Sequence, residues 1–208
     1  MNNEYKLDKP VWYSLAESHK KLAIACNTTH FYNPEYCAFG AFNEVSINDA
    51  DLLAYAKEVP SFFIFGAKPN LPESLQFKNE LLCLQMIVRD KISITPTDEI
   101  VKLDESHRTA LLALVEIVYP EYFKSKTADL ENYYGIFKNN QLVAITGERM
   151  QMDDFIEVSA VITHPEHTSI GYAKQLVAHT TNIILQQKKF LPYMSQKLIL
   201  VVYSYIKN

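Results

Sequence analysis

The chain has 208 residues and is 48% hydrophobic, enough apolar material for a buried core in one large domain or two small ones. Its 20 basic and 24 acidic side chains give a net charge of -4, which excludes the basic stripe of an electrostatic nucleic-acid binder. Met1 to Pro10 is polar and lacks an apolar signal core, and no apolar run has the length of a membrane span, so a soluble cytoplasmic protein without a membrane partner is expected.

Taken in order, the chain changes character near Ser93 to Asp98, and the expected division is residues 1–95 and 96–208. The first half is rich in aromatics and prolines. Short β-branched or aromatic runs between turn residues predict strands at Trp12–Leu15, Leu22–Ala25, Phe39–Phe42, Phe62–Phe65 and Leu81–Arg89. Asn48 is the expected N-cap of a helix from Asp49 to Lys57, and Pro69 to Pro72 reads as a loop. In the second half, Leu111, Leu114, Val115 and Val118 share one face of a helix expected over Glu105–Val118, which Pro120 stops. Tyr133–Phe137 and Leu142–Glu148 read as a hairpin about Asn139-Asn140, and a turn at Asp153-Asp154 leads to a third strand, Ile156–Thr163. An amphipathic helix follows over Gly171–Gln187, with Leu176, Val177, Thr180, Ile183 and Ile184 as its buried stripe. Helix, three antiparallel strands, loop and helix make an α/β or α+β sheet with the last helix packed back on it. No short internal repeat is visible.

The three cysteines, Cys26, Cys37 and Cys83, are odd in number and fit a reducing compartment. Cys26, His30 and Cys37 lack a fourth ligand and match no zinc spacing, so buried thiols and no metal are expected. Lys188-Lys189 reads as a solvated helix face.

The chemically informative stretch is Val158 to Leu176, V-S-A-V-I-T-H-P-E-H-T-S-I-G-Y-A-K-Q-L. A strand ends in a polar turn that feeds a helix through glycine. Such a turn aims backbone N–H groups at one point, at the helix's positive end, and makes an anion site. Thr168 and Ser169 add hydroxyl donors; the alternative is an ordinary helix start capped by Thr168 or Ser169.

This stretch resembles the acetyl-CoA-binding motif of the GNAT superfamily of N-acetyltransferases. Thr168, Ser169, Ile170, Gly171, Tyr172 and Ala173 stand at the motif's positions; the last glycine, the tyrosine and the alanine match, while Thr168 and Ser169 depart from it. The preceding Val-x-Thr-His-Pro run is similar too, and the resemblance covers about Asp98 to Lys189. It implies a GNAT-like, mainly antiparallel mixed sheet flanked by helices, with the first half as a smaller N-terminal α/β region. It also implies acetyl-CoA as co-substrate, held by the loop Thr168–Ala173 and by the backbone of Val161, Ile162 and Thr163, which would pair with the pantetheine arm like an added strand. The acceptor is expected to be a small-molecule or peptide amine that attacks directly, with no covalent enzyme intermediate. Glu157, at the start of the third strand, is the expected catalytic base and Glu148 the reserve. His164 and His167 are expected to shape the loop, and Tyr172 to pack.

The family would continue with a strand, then a helix whose asparagine and tyrosine close the site. Leu191 to Asn208 reads instead L-P-Y-M-S-Q-K-L-I-L-V-V-Y-S-Y-I-K-N. Back-translated from Tyr193 in the neighbouring frame, these codons can spell H-V-A-E-T-N and then I-F-L-Y-K-K, similar to the expected ending. A frameshift near Phe190 or Leu191 and an incomplete C-terminus are therefore expected. The other reading of Leu198 to Tyr203 is a divergent strand. If the ending is lost, the chain is a catalytically impaired CoA-binding or interaction protein rather than an active N-acetyltransferase.

Overall fold

The computed structural model describes residues 3–26, 28–43, 47–120, 123–124, 126–130, 132–187 and 198–207. Two units emerge. Within the described residues, the first comprises 3–86, the segment 150–154 and the strand 198–207; the second comprises 87–149 and 155–187.

In the first unit, helix α1 (Pro10–Ala16) precedes strands β1 (Ala23–Cys26), β2 (Thr29–Tyr32) and β3 (Phe39–Phe42), then helix α2 (Asp49–Glu58), β4 (Ser61–Phe65) and β5 (Leu75–Gln85). Trp12–Leu15 is thus helical, not a strand. Pro10 occupies the first turn, where its fixed φ and missing N–H suit a helix, and Val11 and Leu15 are buried together on one face. β2 is not expected from the sequence, and the strand expected at Leu81–Arg89 begins earlier, at Leu75. α2 starts as expected: the Asn48 side chain accepts the Ala50 N–H at 2.9 Å. The core holds a stack of Phe31 on Tyr55, ring centroids 4.1 Å apart, with Phe62 edge-on to both. Each such contact is worth about 0.5–1.5 kcal/mol beyond burial.

Residues 198–207 form strand β10 (Leu198–Lys207). It runs antiparallel to β4 on one side and β5 on the other, completing the six-stranded order β1-β2-β3-β4-β10-β5. The β-prone run foreseen at Leu198–Tyr203 is therefore an interior strand of the first unit's sheet. The frame change expected near Phe190 or Leu191 lies outside the described residues.

The second unit runs β6 (Val101–Leu103), α3 (Arg108–Val118), β7 (Tyr133–Lys138), β8 (Gln141–Gln151), β9 (Ile156–Thr163) and α4 (Tyr172–Gln186). Its sheet has the order β6-β7-β8-β9, so β9 is an edge. Asn139 and Asn140 both have positive φ, 50° and 63°, as a two-residue hairpin turn with the right twist requires. On one face, α3 buries Leu111, Leu114 and Val115 against Leu103, Tyr133, Leu142, Ile145 and Ile162. On the other, Tyr172 and Leu176 of α4 join Tyr134, Ile136, Val143 and Ala144. Gly147 lets the Tyr133 ring cross β8: a Cβ there would sit 2.4 Å from it. Mixed α+β architecture with antiparallel pairing and flanking helices is the expected fold class, and it is the one found, with β3 and β4 as a parallel pair.

The two units repeat one element order: α1-β1-β2-β3-α2 in the first, α3-β7-β8-β9-α4 in the second.

Of the thiols, Cys37 is buried, Cys26 partly so, and Cys83 is exposed, contrary to the expectation of burial, because its strand presents most of its described side chains to solvent. Among the described residues no group of His, Cys, Asp and Glu could hold a metal ion, and no helix is long and apolar enough to cross a membrane.

Candidate active site

Among the described residues, four non-glycine residues have positive φ; besides the hairpin asparagines they are Ala160 and Ser169. Ala160 directly precedes the expected cofactor segment, and Ser169 lies within it. Alanine and serine at φ 49° and 64° are costly, and such strain collects where a backbone must aim its polar groups in a set direction. Ala160 bends β9 in mid-strand, which re-aims the backbone just before Val161. Sequence reasoning missed Ala160, since an alanine gives no sign of a left-handed conformation.

Beyond the bend, Val161 is 41% exposed, Ile162 is buried against the α3 face, and Thr163 is half-buried. The outer edge of β9 carries no neighbour in the sheet among the described residues, so its backbone is open to an added strand-like partner. His164 closes the strand by donating its N–H to Val143 O at 2.8 Å.

A short 3-10 turn, Pro165–His167, follows. The His164 Nδ1 accepts the Glu166 N–H at 3.2 Å, and the His167 ring stacks towards Tyr172, centroids 6.4 Å apart. Both histidines thus shape the loop. The Thr168 hydroxyl donates to Pro165 O at 3.2 Å, so its proton serves the loop itself. Ser169 and Gly171 then turn through the left-handed region, Gly171 at φ 94°, and Ile170 between them is 54% exposed. The helix cap is Gly171, not Thr168 or Ser169, and no side chain occupies the cap position. The Gln175 N–H bonds to Gly171 O, leaving those of Tyr172, Ala173 and Lys174 without an intrahelical acceptor. The first turn of α4 holds no acidic residue.

The repeated element order supplies a control inside the same chain. At the equivalent place α2 is closed by the Asn48 side chain and carries Asp49 and Asp51 in its first turn. That helix end satisfies itself and repels an anion; the α4 end does neither.

The expected base, Glu157, is held by Arg149 of β8 through two bonds, Nε to Oε2 at 2.9 Å and Nη2 to Oε1 at 2.7 Å. To take a proton it must exchange this guanidinium for an amine. Glu148 is 1% exposed; it accepts the Asn132 amide at 3.1 Å and bonds the Tyr134 hydroxyl. Burial first, and then the Glu148 carboxylate, push the Tyr134 phenol up to about 12. The His179 ring lies edge-on to Tyr134 at 5.2 Å, and burial lowers its pKa. Glu148 is buried, whereas Glu157 is part-exposed.

No family model and no curated protein matches the sequence. Solved structures do match. One, from Novosphingobium aromaticivorans and assigned to the GNAT acetyltransferase family, has a TM-score of 0.85 and 23% identity over 97% of this chain and 98% of that one. A GCN5-related N-acetyltransferase from Kribbella flavida gives 0.62 at 10% identity over 100% of this chain and 97% of that one. A GCN5-related N-acetyltransferase-like protein from Streptococcus suis gives 0.57 at 11% identity, covering 98% and 96%. The fold of this chain is the one these proteins share.

Proposed function

We propose that this chain with the GNAT acetyltransferase fold binds acetyl-CoA and transfers its acetyl group to an amine. The observation that carries this reading is the uncapped, acid-free N-terminus of α4, set behind the left-handed Ser169 and Gly171 turn and next to the open, bent edge of β9. In this reading the N–H groups of the loop Thr168–Ala173 hold the phosphates, and the backbone of Val161, Ile162 and Thr163 pairs with the pantetheine amides. Exposed Val161 and Ile170 give that arm apolar surface.

Acetyl-CoA supplies an activated acyl group. The amine nitrogen forms the new bond to the carbonyl carbon as the carbon–sulfur bond breaks. Negative charge developing on the carbonyl oxygen is met by a backbone N–H of β9 near the Ala160 bend. The amine's proton passes to Glu157, directly or through water, after Arg149 releases one or both of its bonds, and the departing thiolate takes up a proton from solvent. The acceptor is a small-molecule or peptide amine. Glu157→Gln should lower turnover by about 10²–10⁴-fold with little change in CoA affinity; full activity would reassign the base, with Glu148 next in line.

A second reading, a CoA-binding protein that has lost turnover, is favoured by the Arg149 lock on Glu157. Calorimetric titration with CoA, paired with thiol release from acetyl-CoA over a panel of amines, separates the two. Binding with turnover supports the enzyme, binding without turnover supports the second reading, and no binding at millimolar CoA overturns both.

A further inference from the structure

Gln175 is a polar side chain on the buried face of α4, in its first turn, only 8% exposed. Its Oε1 accepts the backbone N–H of Thr97 at 2.8 Å and of Asp98 at 3.2 Å, while its Nε2 donates to Asp98 Oδ2 at 3.0 Å. The other oxygen of Asp98 accepts from Lys138 Nζ at 2.5 Å, and the Thr97 hydroxyl donates to Asp98 Oδ2 at 2.9 Å. The Lys138 ammonium lies 5.8 Å above the Tyr172 ring, at the first residue of α4. A closed circuit therefore joins the connector before β6, the end of β7 and the first turn of the helix that follows the anion loop.

The circuit does two physical things. Three hydrogen bonds between Gln175 and Thr97-Asp98 fix the start of α4, which an apolar residue at 175 would leave free to slide along the sheet, and two more, from Thr97 and Lys138, hold Asp98 in place. Lys138 also neutralises Asp98; otherwise that carboxylate would oppose an anion at the helix's positive end. Lys138 holds the Asp98 carboxyl below its usual range, so the pair is ionised at neutral pH.

We propose that Gln175, Asp98 and Lys138 form a clamp that positions the first turn of α4, and hence the N–H groups of the loop, for the phosphates of the cofactor. The proposal rests on the acetyl-CoA reading. These are positioning residues acting through the helix rather than by touching the substrate.

Donor and acceptor can be exchanged within the clamp. Gln175→Glu sets two carboxylates against each other, and Asp98→Asn removes the charge that holds Lys138. In the double variant the amide introduced at position 98 donates to the carboxylate introduced at position 175, while the new amide oxygen still faces Lys138. Each single variant should weaken CoA binding about tenfold, the worth of one hydrogen bond to a charged group. The double variant restores the hydrogen bonds but places the carboxylate at 175, away from Lys138, so it should recover part of the loss and bind CoA more tightly than either single variant. Lys138→Met, at a part-exposed side chain, tests the electrostatic role without a buried change and should weaken CoA several-fold. The measurements are the CoA Kd by calorimetry and, where turnover is present, KM for acetyl-CoA against kcat, with KM rising and kcat holding. Single variants that melt earlier yet bind CoA like the parent would show a merely structural network and overturn the clamp, as would a double variant no better than either single one. A parent chain that does not bind CoA overturns the acetyl-CoA reading itself, and the clamp with it.

Discussion

Ser169 tests the strained loop most directly. Its φ of 64° lies in the left-handed region, where an L-residue costs roughly 1–2 kcal/mol. Ser169→Gly removes that cost but adds about 0.5–1 kcal/mol of backbone freedom to the unfolded chain. The net gain is about 0.5–1 kcal/mol. For a chain of this length that raises Tm by about 1–4 °C, readable by scanning calorimetry. Because the turn belongs to the folded state, the strain cancels between free and bound protein, and CoA affinity should stay within about threefold. Ser169→Val puts a branched side chain at the same φ and should melt earlier than the parent. A Ser169→Gly protein with an unchanged or lower Tm would refute the reasoning, showing that the serine is accommodated there without strain.

Gly171 sits at φ 94°, and a Cβ there would meet nothing within 4 Å. Gly171→Ala should therefore cost about 1–2 kcal/mol through backbone conformation alone and lower Tm, together with a weaker response to CoA; a neutral outcome would show that the turn can relax. Burial lowers the pKa of His179 from its ordinary 6.5, so the unfolded chain binds the proton more readily. The stability His179 contributes is then full above pH 6.5 and is lost as pH falls from there towards the folded value, before levelling off. Denaturant midpoints of His179→Gln should fall less than those of the parent over that window; parallel curves would contradict the assignment.

Much of the second unit was legible in the residues. The apolar period of α4, the Asn139-Asn140 turn and the strand segment Ile156–Thr163 are local patterns, and local sterics decide them. The glycine-fed turn after Thr163 was legible for the same reason, as was Asn48 as a cap. What local pattern could not give was anything that depends on partners distant in the chain. Trp12–Leu15 has strand-like composition, yet Pro10 and the burial of Val11 and Leu15 make it helical. Leu198–Lys207 has strand propensity, but only pairing with β4 and β5 makes it an interior strand. Ala160 carries no sequence mark of positive φ, because the surrounding fold imposes it. Glu157 reads in the sequence as a free carboxylate, yet Arg149 holds both of its oxygens. The repeated order of elements in the two units has no counterpart in a short sequence repeat, since many side-chain patterns satisfy one backbone arrangement. By itself the sequence determined which segments could be helix, strand or anion-binding turn, because backbone sterics and side-chain period act over a few residues. Tertiary structure alone decided which carboxylate is held and which strand is an edge, because those properties belong to residues meeting across the fold.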